Sequence, residues 1–247
     1  MADAVRSLER AFELLEHLAD AGGEMALSEL TEASGLPMPT AYRLMRTLVN
    51  RGYARQAPSK RYALGPRLIR LGESSSRLLG AWARPALARL VDEVGETANM
   101  ALFEGDAIVY VAQVPSRHTM RMFTEVGRRV QAHCTGVGKA LLAQLPVDAA
   151  RALVARTGLP AQTPHTIIDF ETLMRDLELI RRRGYALDDE EQELGVRCVA
   201  VPIIGAPTLS AISVSGPSAR LTRMVVNDTV PLLRRTADRL ARDLAAP

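Results

Sequence analysis

Between residues 4 and 64 the chain orders three amphipathic segments, two glycine turns and two short extended runs, an order that few small folds can use. Val5, Leu8, Phe12, Leu15 and Ala19 recur at spacings of three and four, so residues 4–20 read as an amphipathic helix that Gly22-Gly23 ends. Ser28 stands where an N-cap is expected, ahead of Leu30 and Ala33, and Gly35 closes this second, short helix. A third opens at "LPMPT", where Pro39 has no N–H to leave unsatisfied and a φ already suited to a first turn. Ala41, Leu44 and Leu48 share one face, while Thr40, Tyr42, Arg43, Arg46 and Thr47 take the polar arc. The runs "GYARQ" and "KRYAL" around "APS" then predict a two-stranded wing carrying Arg55, Lys60 and Arg61. Helix, tight turn, cationic helix and wing together predict a winged helix-turn-helix.

Charge follows the same division. Residues 1–40 hold two arginines against eight acids, whereas residues 41–72 hold seven arginines and Lys60 with no acid. A compact basic block is the footprint of a nucleic-acid reader, although a solvated basic face or a helical unit that docks protein would look similar. For double-stranded DNA, Arg43 and Arg46 are expected at guanine edges or phosphates, and Thr40 and Tyr42 at phosphate or a thymine methyl. Thr47 shares their arc, and the wing cations should grip phosphate.

The stretch from Ser7 to Gly72 resembles the N-terminal winged helix of the IclR family of bacterial transcriptional regulators, without a gap. Members often carry Lys-Ser where this chain has Met38 and Pro39, a departure that bears on operator sequence.

Beyond the wing, Leu68, Leu71, Leu78 and Leu79 predict a linker helix over about 66–78, and Leu87, Leu90, Val91 and Val94 a separate helix over about 82–94 with Pro85 in its first turn. The division is 1–65 for the DNA-binding domain, 66–80 for the linker helix and 81–247 for a second domain. There, "ETANMALFEG" and "AIVYVAQVPS" predict a hairpin about Gly105-Asp106, and "TMRMFTEVG" a third strand. Helices follow near 138–145, 147–157 and 169–183. "YALDD", the hairpin "RCVAVPII"/"LSAISVSG" and a final helix over about 222–244 complete an α+β fold.

The motif "HCTGVGKALLA" suggests a phosphate loop, yet a Walker A sequence would need glycine at His133 and a hydroxyl at Ala140. Gly136 and Gly138 before a helix instead fit a small anion held by backbone amides, or a helix start where glycine eases packing. Together "HCTGVGKALLA", "GYALDDEEQELGVRCVAVPI" and "AISVSGP" resemble the effector domain of the IclR family, a GAF-like fold. That resemblance implies ligand contacts at Gly136, Val137, Gly138, Asp188, Cys198, Ser213 and Ser215, the serines being aligned by motif. It implies a 2-oxo acid such as glyoxylate, as in the subgroup controlling allantoin use, and a repressor that works as a dimer or tetramer. Met100, Met120 and Met122 would help form an apolar wall. Arg121 alternates away from Met120 and Met122, which argues against a carboxylate clamp. An activator or repressor of aromatic-acid catabolism with a larger apolar effector, or an enzyme acting on a small carboxylate, are the competing readings.

No metal or other cofactor is expected: His133, Cys134 and Cys198 lack zinc-ligand spacing. The charged N-terminus, the lack of a long apolar run and two widely spaced cysteines predict a cytoplasmic protein with no membrane partner.

Overall fold

The computed structural model describes residues 5–122 and 125–245, and they divide into two compact units, Met1–Ser75 and Ser76–Pro247. In the first unit, α1 (Arg6–Asp20), α2 (Leu27–Ser34) and α3 (Met38–Asn50) are followed by the antiparallel pair β1 (Ala54–Gln56) and β2 (Tyr62–Leu64), then by α4 (Arg67–Leu79). Leu14, Leu18, Leu30, Ala41 and Met45 are its fully enclosed centre. The apolar stripe expected on α1 lies differently. Leu15 is buried, but Val5, Leu8 and Phe12 are 63%, 57% and 59% exposed, and Leu14 and Leu18 form the inner row. Two apolar rows lie side by side on this helix, and spacing alone selects the outer one.

The cap of α2 also differs from expectation. Ala26 is the N-cap, and Glu29 accepts its N–H at 2.8 Å, so Ser28 lies inside the first turn. Gly35 closes the helix at φ +65°, a left-handed conformation that glycine adopts without a Cβ penalty.

In the second unit a 3₁₀ turn (Ala81–Ala83) leads into α5 (Arg84–Val94). The strands are β3 (Thr97–Glu104), β4 (Ala107–Val114), β5 (Arg129–Val130), β6 (Ala186–Asp189), β7 (Val196–Pro202) and β8 (Ser210–Pro217). They form one antiparallel sheet in the order β5-β4-β3-β8-β7-β6. The helices α6 (Gly136–Leu142), α7 (Val147–Thr157) and α8 (Phe170–Arg183) cover one face, and α5 and α9 (Arg223–Ala245) the other.

Strand alternation sorts side chains by size. Val199, Val201, Ile212 and Val214 fill the α5/α9 side, while Ala186, Ala200, Ala211 and Ala101 face α6 and α8. Small residues on that second face let α6 sit close against the sheet, which is what brings its N-terminus to β7.

Of the third strand expected over "TMRMFTEVG", Phe123 and Thr124 lie outside the described residues and the others form no strand; strand pairing begins later, at Arg129–Val130. The carbonyl of Met122 accepts from the Thr97 hydroxyl and that of Met120 from Arg220, so side chains occupy acceptors that a strand would present to a ladder. Gly127, at φ +94°, turns the chain into β5.

Candidate functional site

On the first unit, Tyr42, Arg43, Arg46 and Thr47 are exposed along one side of α3, with Thr40 half-buried at its start. The Thr47 hydroxyl donates back to the Arg43 carbonyl at 3.0 Å. In the wing, Arg55 is exposed and lies 3.6 Å from Glu24, and Lys60 is exposed at a left-handed φ of +62°. Arg61, expected at phosphate, is engaged within the unit. Its guanidinium donates to the Glu24 carbonyl at 2.8 Å and to the Glu29 carboxylate at 2.7 Å, tying the wing to α2. The Ala26 N–H first, and then Arg61, hold the Glu29 carboxyl below its ordinary range. With its strongest donors committed, Arg61 is a brace.

In the second unit, cross-strand register assembles polar groups on the α6 face. Asp188 pairs with Cys198, Cys198 with Ser215 and Ser215 with Thr97, while Ser213 lies between Ala200 and Asn99 in the adjacent row. Asn99 and Gln113 pair across β3 and β4, their amides 3.2 Å apart, and Asn99 donates to the Ser215 hydroxyl at 3.4 Å. The register slips between Met100 and Ala101, leaving Val111 unpaired; this bulge turns Tyr110 to the same face as Gln113.

Above these rows stands the N-terminus of α6. Thr135 caps it, accepting the Gly138 N–H at 3.1 Å. Gly138 is therefore not the free amide donor expected. A Cβ there would meet the Ala132 carbonyl at 2.4 Å, so this glycine serves packing. Gly136 lies directly against the sheet: a Cβ would lie 2.8 Å from Cys198 Sγ. Its N–H points at that sulfur, and Val137 is fully buried beside it.

Electrostatics here follow from burial. Asp188 is buried, which pushes its carboxyl up to about 7, although its Oδ1 accepts the Glu191 N–H at 2.8 Å and the Gln192 N–H at 3.3 Å. Burial likewise pushes the Cys198 thiol up to about 11 and the Cys134 thiol up to about 12, so both are inert thiols at neutral pH. Cys134 donates to the Gln192 side chain at 3.0 Å.

Among the described residues no group of three or more His, Cys, Asp and Glu is placed to hold a metal, and His133 bonds the Pro160 carbonyl at 3.1 Å. Nor is any helix among them long and apolar enough to cross a membrane. The expected methionine wall is dispersed: Met100 is core on the opposite face, and Met120 is 74% exposed. Arg121 is exposed and donates to the His118 carbonyl at 3.2 Å.

Five residues that sequence reasoning passed over belong with this face: Asn99, Tyr110, Gln113, Gln192 and Lys139. Asn99 was visible as a polar residue inside a buried strand, alternating with Thr97 and Ala101. Clefts open elsewhere. One of about 600 Å³ lies among Ala143, Ile180, Val201, Leu209 and Ala237, and none of the seven expected contacts lines it. Another, of about 440 Å³, is bordered by Arg128, Arg129, Gln131, Gln162 and Gln192, and so reaches the edge of the polar rows.

Residues 7–58 match the model of the IclR helix-turn-helix domain, and residues 74–242 that of the bacterial transcriptional regulator IclR C-terminal domain. The chain belongs to the IclR family. It is 40% identical over 226 residues to the transcriptional repressor IclR of Escherichia coli, covering 88% of this chain and 82% of that one. To the transcriptional repressor AllR of E. coli it is 33% identical over 238 residues, covering 94% and 88%. Its fold matches the crystal structure of an IclR homologue complexed with 4-hydroxybenzoate from Microbacterium hydrocarbonoxydans, with TM-score 0.83, 26% identity and coverage of 98% and 100%. As an IclR-family member with both domains, the chain is a DNA-binding transcriptional regulator and not an enzyme.

Proposed function

We propose that this IclR-family regulator is a repressor whose hold on operator DNA is altered by a small carboxylate, such as the 2-oxo acid glyoxylate. Repressors are among its relatives. Residues 1–65 form the DNA reader, 66–80 the linker helix and 81–247 the effector domain. Arg43 and Arg46 reach base edges or phosphates, Thr40, Tyr42 and Thr47 flank them, and Arg55 and Lys60 grip backbone phosphate. One winged helix buries too little surface for typical operator affinity, so the active species is a dimer or tetramer. The exposed row Val5, Leu8 and Phe12 on α1 supports self-association.

The effector contacts are the first-turn amides at Gly136 and Val137, together with Asp188, Cys198, Ser213 and Ser215. One observation carries this reading: Ser213 is 0% exposed and its hydroxyl meets no oxygen or nitrogen partner, only the weakly accepting Cys198 sulfur. An unmet buried hydroxyl costs about 1–3 kcal/mol, and a ligand oxygen beside it would recover that. Asp188, at about 7, is half-protonated near neutrality and can donate to a carboxylate instead of repelling it.

A small effector is favoured because α6 lies so close to β7 that Gly136 has no room for a methyl group. The relative bound to 4-hydroxybenzoate supports a second reading, an aromatic acid. Calorimetric titration with glyoxylate, pyruvate and 4-hydroxybenzoate separates them. Binding of glyoxylate that Ser213→Ala removes is expected; binding of the aromatic acid alone would overturn the small-acid reading.

A further inference from the structure

Lys139 lies in the second turn of α6, 1% exposed, and the DNA and effector readings leave it without a task. Its Nζ donates to Glu191 Oε1 at 2.5 Å and to Asp176 Oδ2 of α8 at 2.8 Å. Glu191 in turn offers its backbone N–H to Asp188 at 2.8 Å. Its carbonyl accepts the Thr166 hydroxyl at 2.6 Å, which ties the same loop to residues 162–166. One ammonium thus joins the helix whose amides face Cys198 to the loop that holds Asp188.

We propose that Lys139, with Glu191 and Asp176, is a positioning unit that fixes the 190–192 loop against α6 and so sets the place of Asp188, at the end of β6, beneath the helix end. The proposal rests on the reading of Asp188 as an effector contact. A buried ion pair is a costly way to gain stability alone, because desolvation offsets most of the Coulombic attraction. It does fix geometry, since neither partner tolerates displacement from the other. Burial draws Lys139 toward its neutral form, but Glu191 and Asp176 outweigh this and hold it above its ordinary value, so it stays charged.

The arrangement has an electrostatic signature. The charged groups that act on Asp188 are Glu191 on the loop after β6 and Lys139 on α6, while Cys134 before α6, Tyr110 on β4 and Cys198 on β7 lie near it as uncharged groups. The Glu191 charge raises the Asp188 carboxyl and the Lys139 charge lowers it. The two variants therefore act in opposite senses, which loss of packing alone would not produce.

The test is carbon-13 NMR of the full-length protein labelled at aspartate carboxyls, with the Asp188 signal identified by its loss in Asp188→Asn. Glu191→Gln keeps the shape and an acceptor for Lys139, and should move the Asp188 midpoint to lower pH. Lys139→Met should move it to higher pH; where that variant fails to fold, Glu191→Gln decides alone. Glyoxylate affinity at pH 7 should fall by about tenfold in Glu191→Gln, because Asp188 is then more fully ionised. An unchanged Asp188 midpoint in Glu191→Gln overturns the positioning unit. Shifted midpoints in a protein that binds no glyoxylate would keep the unit and overturn the effector reading instead.

Discussion

At Gly136 a single hydrogen in place of a methyl group decides whether α6 can reach the sheet. Gly136→Ala would press a Cβ to 2.8 Å from Cys198 Sγ and 3.2 Å from the Cys198 carbonyl, so α6 must move away. The expected cost is about 1–3 kcal/mol of stability with loss of effector binding, read by thermal melting and calorimetry. An alanine variant that binds glyoxylate as tightly as the parent would refute the close approach. Asp188 carries a second prediction. Its carboxyl stands at about 7 in the folded chain against 3.8 when unperturbed, so the folded state binds its proton more tightly across that window. Stability from this group is present below pH 4 and is lost as pH rises through 7, by about 1.4 kcal/mol for each pH unit crossed. Asp188→Asn should remove that slope from the pH dependence of unfolding, and an identical slope would show that Asp188 titrates normally.

Among the elements, the wing and α6 show where a sequence speaks and where it is silent. Pro39, the polar arc of α3 and the two β-rich runs foretold the helix-turn-helix and its wing, because each depends on neighbours within a few residues. The internal contacts of Arg61 were not legible, because its partners, Glu24 and Glu29, lie more than thirty residues away and meet it only after folding. Met120 and Met122 alternate like strand residues, yet nothing local records that side chains take their carbonyls. Lys139 stayed hidden for the same reason, while Asp188, Cys198, Ser213 and Ser215 were named by motif resemblance alone, and register brings them to one face. The wing supplies a discriminating experiment. Lys60→Ala should reduce the salt dependence of DNA binding by about one phosphate's worth, whereas Arg61→Ala should lower the melting temperature and leave the salt slope unchanged. Equal slopes for both variants would return Arg61 to the phosphate contacts.

At the scale of the whole molecule, the proposed function couples a cationic reader to a sensor domain through the populations of DNA-competent and incompetent arrangements. A ligand can shift that balance only by its different affinity for the two. Self-association belongs to this scale: Phe12→Arg on the exposed row of α1 should shift the sedimentation profile toward monomer and weaken operator binding. A variant that sediments and binds like the parent would place the contact on another face. The measurement that bears most directly on the central claim is fluorescence anisotropy of a DNA fragment from upstream of the gene, titrated with and without glyoxylate. Wild-type protein should bind with an affinity that glyoxylate changes by about tenfold or more, and Ser213→Ala should bind the same DNA equally well with no response to glyoxylate. A Ser213→Ala protein that responds as fully as wild type would contradict the account.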